Sequence, residues 1–283
     1  LELIGALQMR WPHLPQFAIY DSGLYAGLPE HAVRYALPDG ISPEWPLRRY
    51  GFHGLAHRSQ WRQVQVMFGR FPRKPDQSTP ASRDQSHARN RQADRVISIH
   101  LGSGVSVSAW RQGAVVDTSM GFSPLEGPIM ARRSGSIDPG ILMPLLLRAG
   151  LQAPTLDKML HEHSGLAALA GHDGDMRLIL QDLADTGNPC ANAAVTQYCY
   201  QIRKTIGSYI AVLGGVDAIS FGGGVAEHQA AIRLQILAGL EGLGIVVDTV
   251  ANAALDEQGP VKAASFHAAE STCALYLTPV NEM

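Results

Sequence analysis

The apolar residues of this chain change period several times along its length. Between residues 96 and 119 the runs VISIH and VSVSAW alternate, and AVVDTS follows. A period of two is that of a strand with one face against a core. Arg111-Gln112-Gly113 separates the last two runs and reads as a tight hairpin turn. Between 191 and 213 the period lengthens. Val195, Tyr198, Ile202, Ile206, Tyr209, Ile210 and Leu213 recur at threes and fours, as on one face of a helix, and Gly214-Gly215 ends it. A short buried run, VDAISF (216–221), comes next, then Gly222-Gly223-Gly224 and a helix-like AEHQAAIRLQIL. Strands alternating with helices imply an α/β architecture. Near the start, FAIYDSG (17–23) predicts a strand over Phe17–Tyr20. Asp21 then falls just past a strand end, where ligand-facing residues of α/β folds often sit. No internal repeat interrupts this order.

One segment breaks the pattern. Residues 71–95 are rich in Pro, Ser, Gln, Asp and Arg and nearly free of large apolar residues, which reads as a polar surface loop. Asp76, Asp84 and Asp94 are interspersed with its arginines and no aromatics intervene, which argues against a nucleic-acid surface. The whole chain of 283 residues is 46% hydrophobic and 17% charged, with a formal net charge of -2. That is enough apolar material for a core, and no global field that would attract nucleic acid or an anionic membrane. Cys190, Cys199 and Cys273 form no CxxC pair, so the expectation is reduced thiols in a cytoplasmic protein. No secretory signal is read at the N-terminus, and runs such as ILMPLLL (141–147) are too short to span a bilayer.

The chemistry starts from glycine. HLGSGVS (100–106), SMGFSPLEG (119–127) and FGGGVAEH (221–228) each follow a strand-like run and each carry small or hydroxyl residues. Glycine lets backbone N–H groups approach phosphate oxygens, and three such turns together point to a nucleotide phosphate. ARRSGSIDPG (131–140) adds Arg132 and Arg133, and a guanidinium holds a phosphoryl group through parallel hydrogen bonds. No Gly-Lys dipeptide occurs, which excludes a Walker A loop, and no GxSxG elbow is present. His53 and His57 lie four apart, but Gly54 between them and the lack of a third ligand nearby argue against a metal pair.

These residues carry a resemblance. RRYGFHGLAH (48–57), HLGSG (100–104), VDTSMGFSPLEGPIMARRSGSIDPGI (116–141), DAISFGGGVAEH (217–228) and LTPVNE (277–282) resemble, in order, the signature segments of the acetate kinase family. IYDSGLY (19–25) sits where that family has its aspartate segment. The resemblance implies an α/β, ribonuclease H-like domain of the acetate and sugar kinase, heat-shock ATPase and actin superfamily. It implies transfer of the γ-phosphoryl of ATP to acetate, giving acetyl phosphate and ADP with Mg²⁺, in a homodimer. By position it gives Asp21, His53 and Arg133 the catalytic roles and Glu282 the magnesium role. His100, Leu101, Gly102, Ser103 and Gly104 correspond to a phosphate-contacting turn. Asp175, Met176 and Arg177, with Gly224, Val225, Ala226, Glu227 and His228, correspond to two adenosine segments. Phe52 and Pro124 correspond to the acyl pocket.

The departures shape further expectations. The family's opening phosphate loop and a substrate arginine have no counterpart among the twenty residues before Asp21. The expected organisation is therefore 1–20 as a remnant of an N-terminal domain and interdomain segment, and 21–282 as the C-terminal nucleotide-binding and dimerisation domain. A site shared by two domains is not closed by one of them. The chain alone is expected to bind adenine nucleotide weakly and to turn over little. The alternatives are a non-catalytic nucleotide-binding or dimerising remnant, or a kinase for propionate or butyrate. Ser103, Ala226 and His228 replace family residues in the nucleotide segments, and Leu55-Ala56 replaces Thr-Ser after the signature histidine.

Overall fold

The structure is a computed structural model and describes residues 2–69, 92–257 and 262–280. Six strands form one mixed sheet: β1 (Arg95–Leu101), β2 (Val105–Arg111), β3 (Ala114–Thr118), β4 (Ala218–Gly222), β5 (Ala264–Ser265) and β6 (Ala274–Leu277). Their order is β3-β2-β1-β4-β6-β5. The pairs β1–β2, β2–β3 and β5–β6 are antiparallel, while β4 runs parallel to both β1 and β6. The α-helices are α1 (Glu2–Arg10), α2 (Glu30–Val33), α3 (Gly54–Phe68), α4 (Leu142–Leu147), α5 (Ala153–Glu162) and α6 (Gly165–Ala170). They continue with α7 (Met176–Thr186), α8 (Pro189–Leu213), α9 (Gly224–His228), α10 (Ala230–Leu237) and α11 (Thr249–Glu257).

Strand alternation sorts the two faces of the sheet. Ile97, Ile99, Leu101, Val105, Val107, Ile219, Phe221, Leu275 and Leu277 belong to the larger core, together with the buried stripe of α8: Val195, Tyr198, Ile202, Ile206 and Leu213. Val96, Trp110, Ala218, Ala274 and Tyr276 belong to a second core under α3, with Val64 and Phe68. The molecule is thus a layered α/β structure with helices on both faces. The α8 stripe follows the expected spacing, and the helix stops at Gly214, which is left-handed.

Two readings are corrected. Residues 17–20 form no strand; Phe17, Ile19 and Tyr20 are 88%, 78% and 73% exposed. A strand needs a ladder, and no described strand pairs with this segment. Asp21 instead opens a short 3₁₀ turn, Asp21–Tyr25. The run AEHQAAIRLQIL is not one helix. Gln229, at φ −135 and ψ 81, separates α9 from α10. The 71–91 part of the polar loop lies outside the described residues, as does Glu282, and Arg95 already belongs to β1.

Candidate active site

Asp21 and His53 meet at the N-terminus of α3. His53 is its N-cap and adopts a left-handed conformation, φ 57 and ψ 32. The Asp21 carboxylate accepts the backbone N–H of His53 at 2.5 Å and that of Leu55 at 3.0 Å. It therefore caps the helix, where a negative charge is favoured. The His53 ring turns to the sheet, with Nδ1 2.8 Å from Ser106 Oγ. It also lies against His100, with ring centroids 4.6 Å apart. Burial pushes the His100 pKa down to about 4, partly offset by the charge of Asp21, so its imidazole is neutral.

Arg133 arrives from the other side. The segment 130–133 is clamped by backbone bonds: Ala131 N–H donates to Ser103 O, Ser164 N–H to Arg132 O and Leu166 N–H to Met130 O. Arg133 Nη1 lies 3.4 Å from Pro124 O. Gly104 is the meeting point. A Cβ there would stand 3.0 Å from His53 Cε1, 3.3 Å from His53 Nε2 and 3.4 Å from Arg133 Nη1. Only a residue without a side chain lets the histidine and the arginine approach this turn so closely. Asp21, His53 and Arg133, scattered over the sequence, are thus brought to one place.

From Arg133 a cavity of about 1020 Å³ runs past Gly102 and Ser103 to Asp175, Arg177, Gly224, Val225 and His228. Asp175 caps α7 through Arg177 N–H. Its carboxylate also pairs with the Arg177 guanidinium at 2.6 Å, which pulls its pKa down to about 2. On the facing wall Gly223 packs on the backbone of Leu101, at 2.8 Å for an added Cβ, while Gly224 opens into space. The ends of the parallel neighbours β1 and β4 therefore abut, which is where nucleotide sites of α/β folds form.

Not every expected residue faces this space. Leu101 and Ala226 are fully buried. The Met176 side chain is buried in the core, though the residue borders the cavity. The Glu227 carboxylate accepts from Gly223 N–H at 2.9 Å and Val280 N–H at 3.1 Å, so it braces the glycine turn. Phe52 and Pro124 flank the Asp21, His53 and Arg133 end; Phe52 packs against the core and its carbonyl accepts from Tyr25 OH at 2.8 Å. The SMGFSPLEG turn reaches this end through Pro124, while its Glu126 is held by other partners. Glu126 accepts from Tyr35 OH at 2.5 Å and Arg49 Nη2 at 2.6 Å.

Sequence reasoning missed Asp173, which pairs with Arg132 at the cavity rim, and Ser106, which holds His53. Asp173 carried no local signal. Ser106 did: it sits at an alternate position of β2, opposite His100. His57, weighed and rejected as a metal partner of His53, has Ser98 and Ser106 hydroxyls on its two ring nitrogens, at 2.8 and 2.7 Å. Among the described residues no three His, Cys, Asp or Glu side chains gather to hold a metal ion.

This topology and site define a ribonuclease H-like α/β domain of the acetate and sugar kinase, heat-shock ATPase and actin superfamily. The chain belongs to the acetokinase family, whose model matches residues 1–76 and 81–283. It is 41% identical over 250 residues to the acetate kinase of Streptomyces coelicolor, covering 88% of this chain and 56% of that protein. The crystal structure of Porphyromonas gingivalis acetate kinase is similar at a TM-score of 0.83 and 32% identity, covering 99% of this chain and 64% of that one. A propionate kinase from Francisella tularensis gives 0.82 and 30%, covering 99% and 65%. The chain thus spans a little over half the length of such a curated relative.

Proposed function

We propose that this chain carries the nucleotide and phosphoryl-transfer face of a carboxylate kinase, which interconverts ATP plus acetate with acetyl phosphate plus ADP by direct in-line transfer. The observation that carries the reading is the meeting of His53, held by Asp21, with Arg133 at the Gly104 turn, next to the cavity that Arg133 lines.

The residues fit an adenine nucleotide. Asp175, Arg177, Gly224 and Val225 bound a space of suitable size for adenosine, and the Gly102-Ser103 turn faces the phosphate path. Phosphoryl transfer spreads charge over three equatorial oxygens, so catalysis rests on positioning and charge stabilisation. Arg133 supplies a fixed cation beside His53, which donates a hydrogen bond to the same group. Phe52 and Pro124 border the acyl end. A carboxylate acceptor is already nucleophilic at neutral pH, so no strong base is required. Mg²⁺ would supply positive charge to offset the charge that develops on the transferring phosphoryl group. Such an ion takes one or two carboxylates plus phosphate and water oxygens. Asp21 fits that part, since two accepted hydrogen bonds leave its oxygens further lone pairs. Glu282 is the second carboxylate by resemblance and lies outside the described residues. Homodimerisation is part of the same proposal; α4 buries none of its residues and leaves Met143 and Leu147 54% and 74% exposed.

The test is ADP titration and acetyl phosphate formation with the 283-residue chain. ADP binding that weakens in Arg177→Ala supports the nucleotide assignment; no binding sinks it. Turnover of ordinary kinase size, about 1–100 s⁻¹, would refute the expectation that a second domain is needed. In protein that turns over, Arg133→Ala is expected to lose about 10³–10⁵ in rate with ADP binding nearly intact.

A further inference from the structure

A chain of polar groups runs from the interior under α3 to the cleft. Trp110 Nε1–H donates to Ser98 Oγ at 2.8 Å. Ser98 Oγ is 2.8 Å from His57 Nδ1, and His57 Nε2 is 2.7 Å from Ser106 Oγ. Ser106 Oγ is in turn 2.8 Å from His53 Nδ1. Ser98, His57 and Ser106 are fully buried and Trp110 nearly so. The links alternate between β2, β1 and α3, so the tertiary fold alone assembles them.

The proton order follows from counting donors. An indole N–H can only donate. Ser98 therefore accepts from Trp110, and its own O–H goes to its other ring neighbour, His57 Nδ1. Burial, then the nearby His100 and His53, hold the His57 pKa well below its ordinary value, so the ring is neutral. Its single proton sits on Nε2 and is donated to Ser106. The Ser106 O–H is then left for His53 Nδ1. In its neutral form His53 then carries its proton on Nε2, which lies at the Gly104 turn, 3.3 Å from an added Cβ there. In the reverse order Trp110 and His57 would both donate to Ser98, and the buried Ser98 O–H would lose its acceptor.

We propose that Trp110, Ser98, His57 and Ser106 are positioning residues that fix His53 as an Nε2–H donor aimed into the cleft. What the donor serves rests on the phosphotransfer reading. A phosphoryl oxygen only accepts, so the opposite tautomer would present it with a lone pair.

The test is two-bond ¹H–¹⁵N correlation of the imidazole nitrogens in the full 283-residue chain. It is run at about pH 8.5, well above the ordinary histidine pKa of about 6.5. In the native protein both His57 and His53 should show a protonated Nε2 and an unprotonated Nδ1. In Ser106→Ala, His53 should lose that single tautomer and show a mixture, while His57 Nδ1 stays unprotonated. A native His53 protonated on Nδ1, or a His53 tautomer unmoved by Ser106→Ala, overturns the proposal. The native reading does not depend on any variant folding. ADP binding is scored separately. Expected tautomers without ADP binding uphold the proton order and remove the nucleotide reading. ADP binding with His53 protonated on Nδ1 does the reverse.

Discussion

Single residues at the cleft do two tasks at once. Asp21 caps α3 while presenting a carboxylate, and Asp175 caps α7 while holding Arg177. Gly104 is the position where absence of a side chain matters most. Its neighbours at 3.0–3.4 Å leave a methyl group only a few tenths of an ångström short of room. Gly104→Ala is therefore expected to fold, to keep ADP binding and to displace His53 and Arg133. Misplacement of about 1 Å costs on the order of 10²-fold in rate, so turnover should fall by up to about that much. Unchanged kcat beside retained binding would contradict the crowding at this turn. The residues legible in the sequence were those inside contiguous motifs, such as Arg133 and His53. Ser106 and Asp173 were not, because each has a function only through a partner far away in the chain.

At the scale of elements, the two alternating runs became β1 and β2, the run AVVDTS after them formed a third strand, β3, and the turn between the last two is tight. Gln112 and Gly113 both have positive φ, 51 and 84. That is the left-handed pair a two-residue hairpin requires, and glutamine is a poor choice for it where asparagine is a good one. Gln112→Asn should raise stability by about 0.5 kcal/mol, within the range of turn substitutions that suit the backbone, measured by urea unfolding. The strand expected at 17–20 failed for want of a partner, a matter local composition does not encode. The break between α9 and α10 has a visible anchor. Ala230 N–H donates to Asp256 at 2.6 Å, and the fully buried Arg233 bonds Asn252 Oδ1, Asn252 O and Ala226 O. Arg233 also pairs with Asp256 at 3.0 Å. It thus ties α9, which borders the cavity, to α11. Arg233→Ala should cost about 3 kcal/mol or more, the usual result of breaking a buried charged network. A urea midpoint shift of only a few tenths of a kcal/mol would show that the network is dispensable.

For the whole molecule, the layer between α3 and the sheet sets the pH response. His57 and His100 are buried neutral, with pKa values below the ordinary 6.5, His100 at about 4. The unfolded chain binds protons at these sites first as pH falls. Their contribution is complete above about pH 6.5 and is lost progressively toward pH 4, on the order of a few kcal/mol. The urea midpoint should therefore drop between pH 7 and 5 in the native chain, and less in His100→Gln. Asp117, raised by burial, works against this trend, whereas Asp175 acts only below the usual carboxylate range. Light scattering should give the mass of two chains, in keeping with the exposed apolar side of α4; a single-chain mass at micromolar concentration would overturn the dimer. Among the described residues no helix is long and apolar enough to cross a membrane.

The sequence by itself determined the α/β class, the glycine turns, the α8 stripe and the family, because these are written in local period and contiguous motif. It could not say which polar positions of β1 and β2 meet water. Ser98, His100 and Ser106 alternate with apolar residues just as a solvated strand face would. Only the tertiary structure lays α3 over that face, and burial then obliges each hydroxyl and imidazole to find a partner there. The direction of His53 is a consequence of that covering, decided by contacts between residues dozens of positions apart.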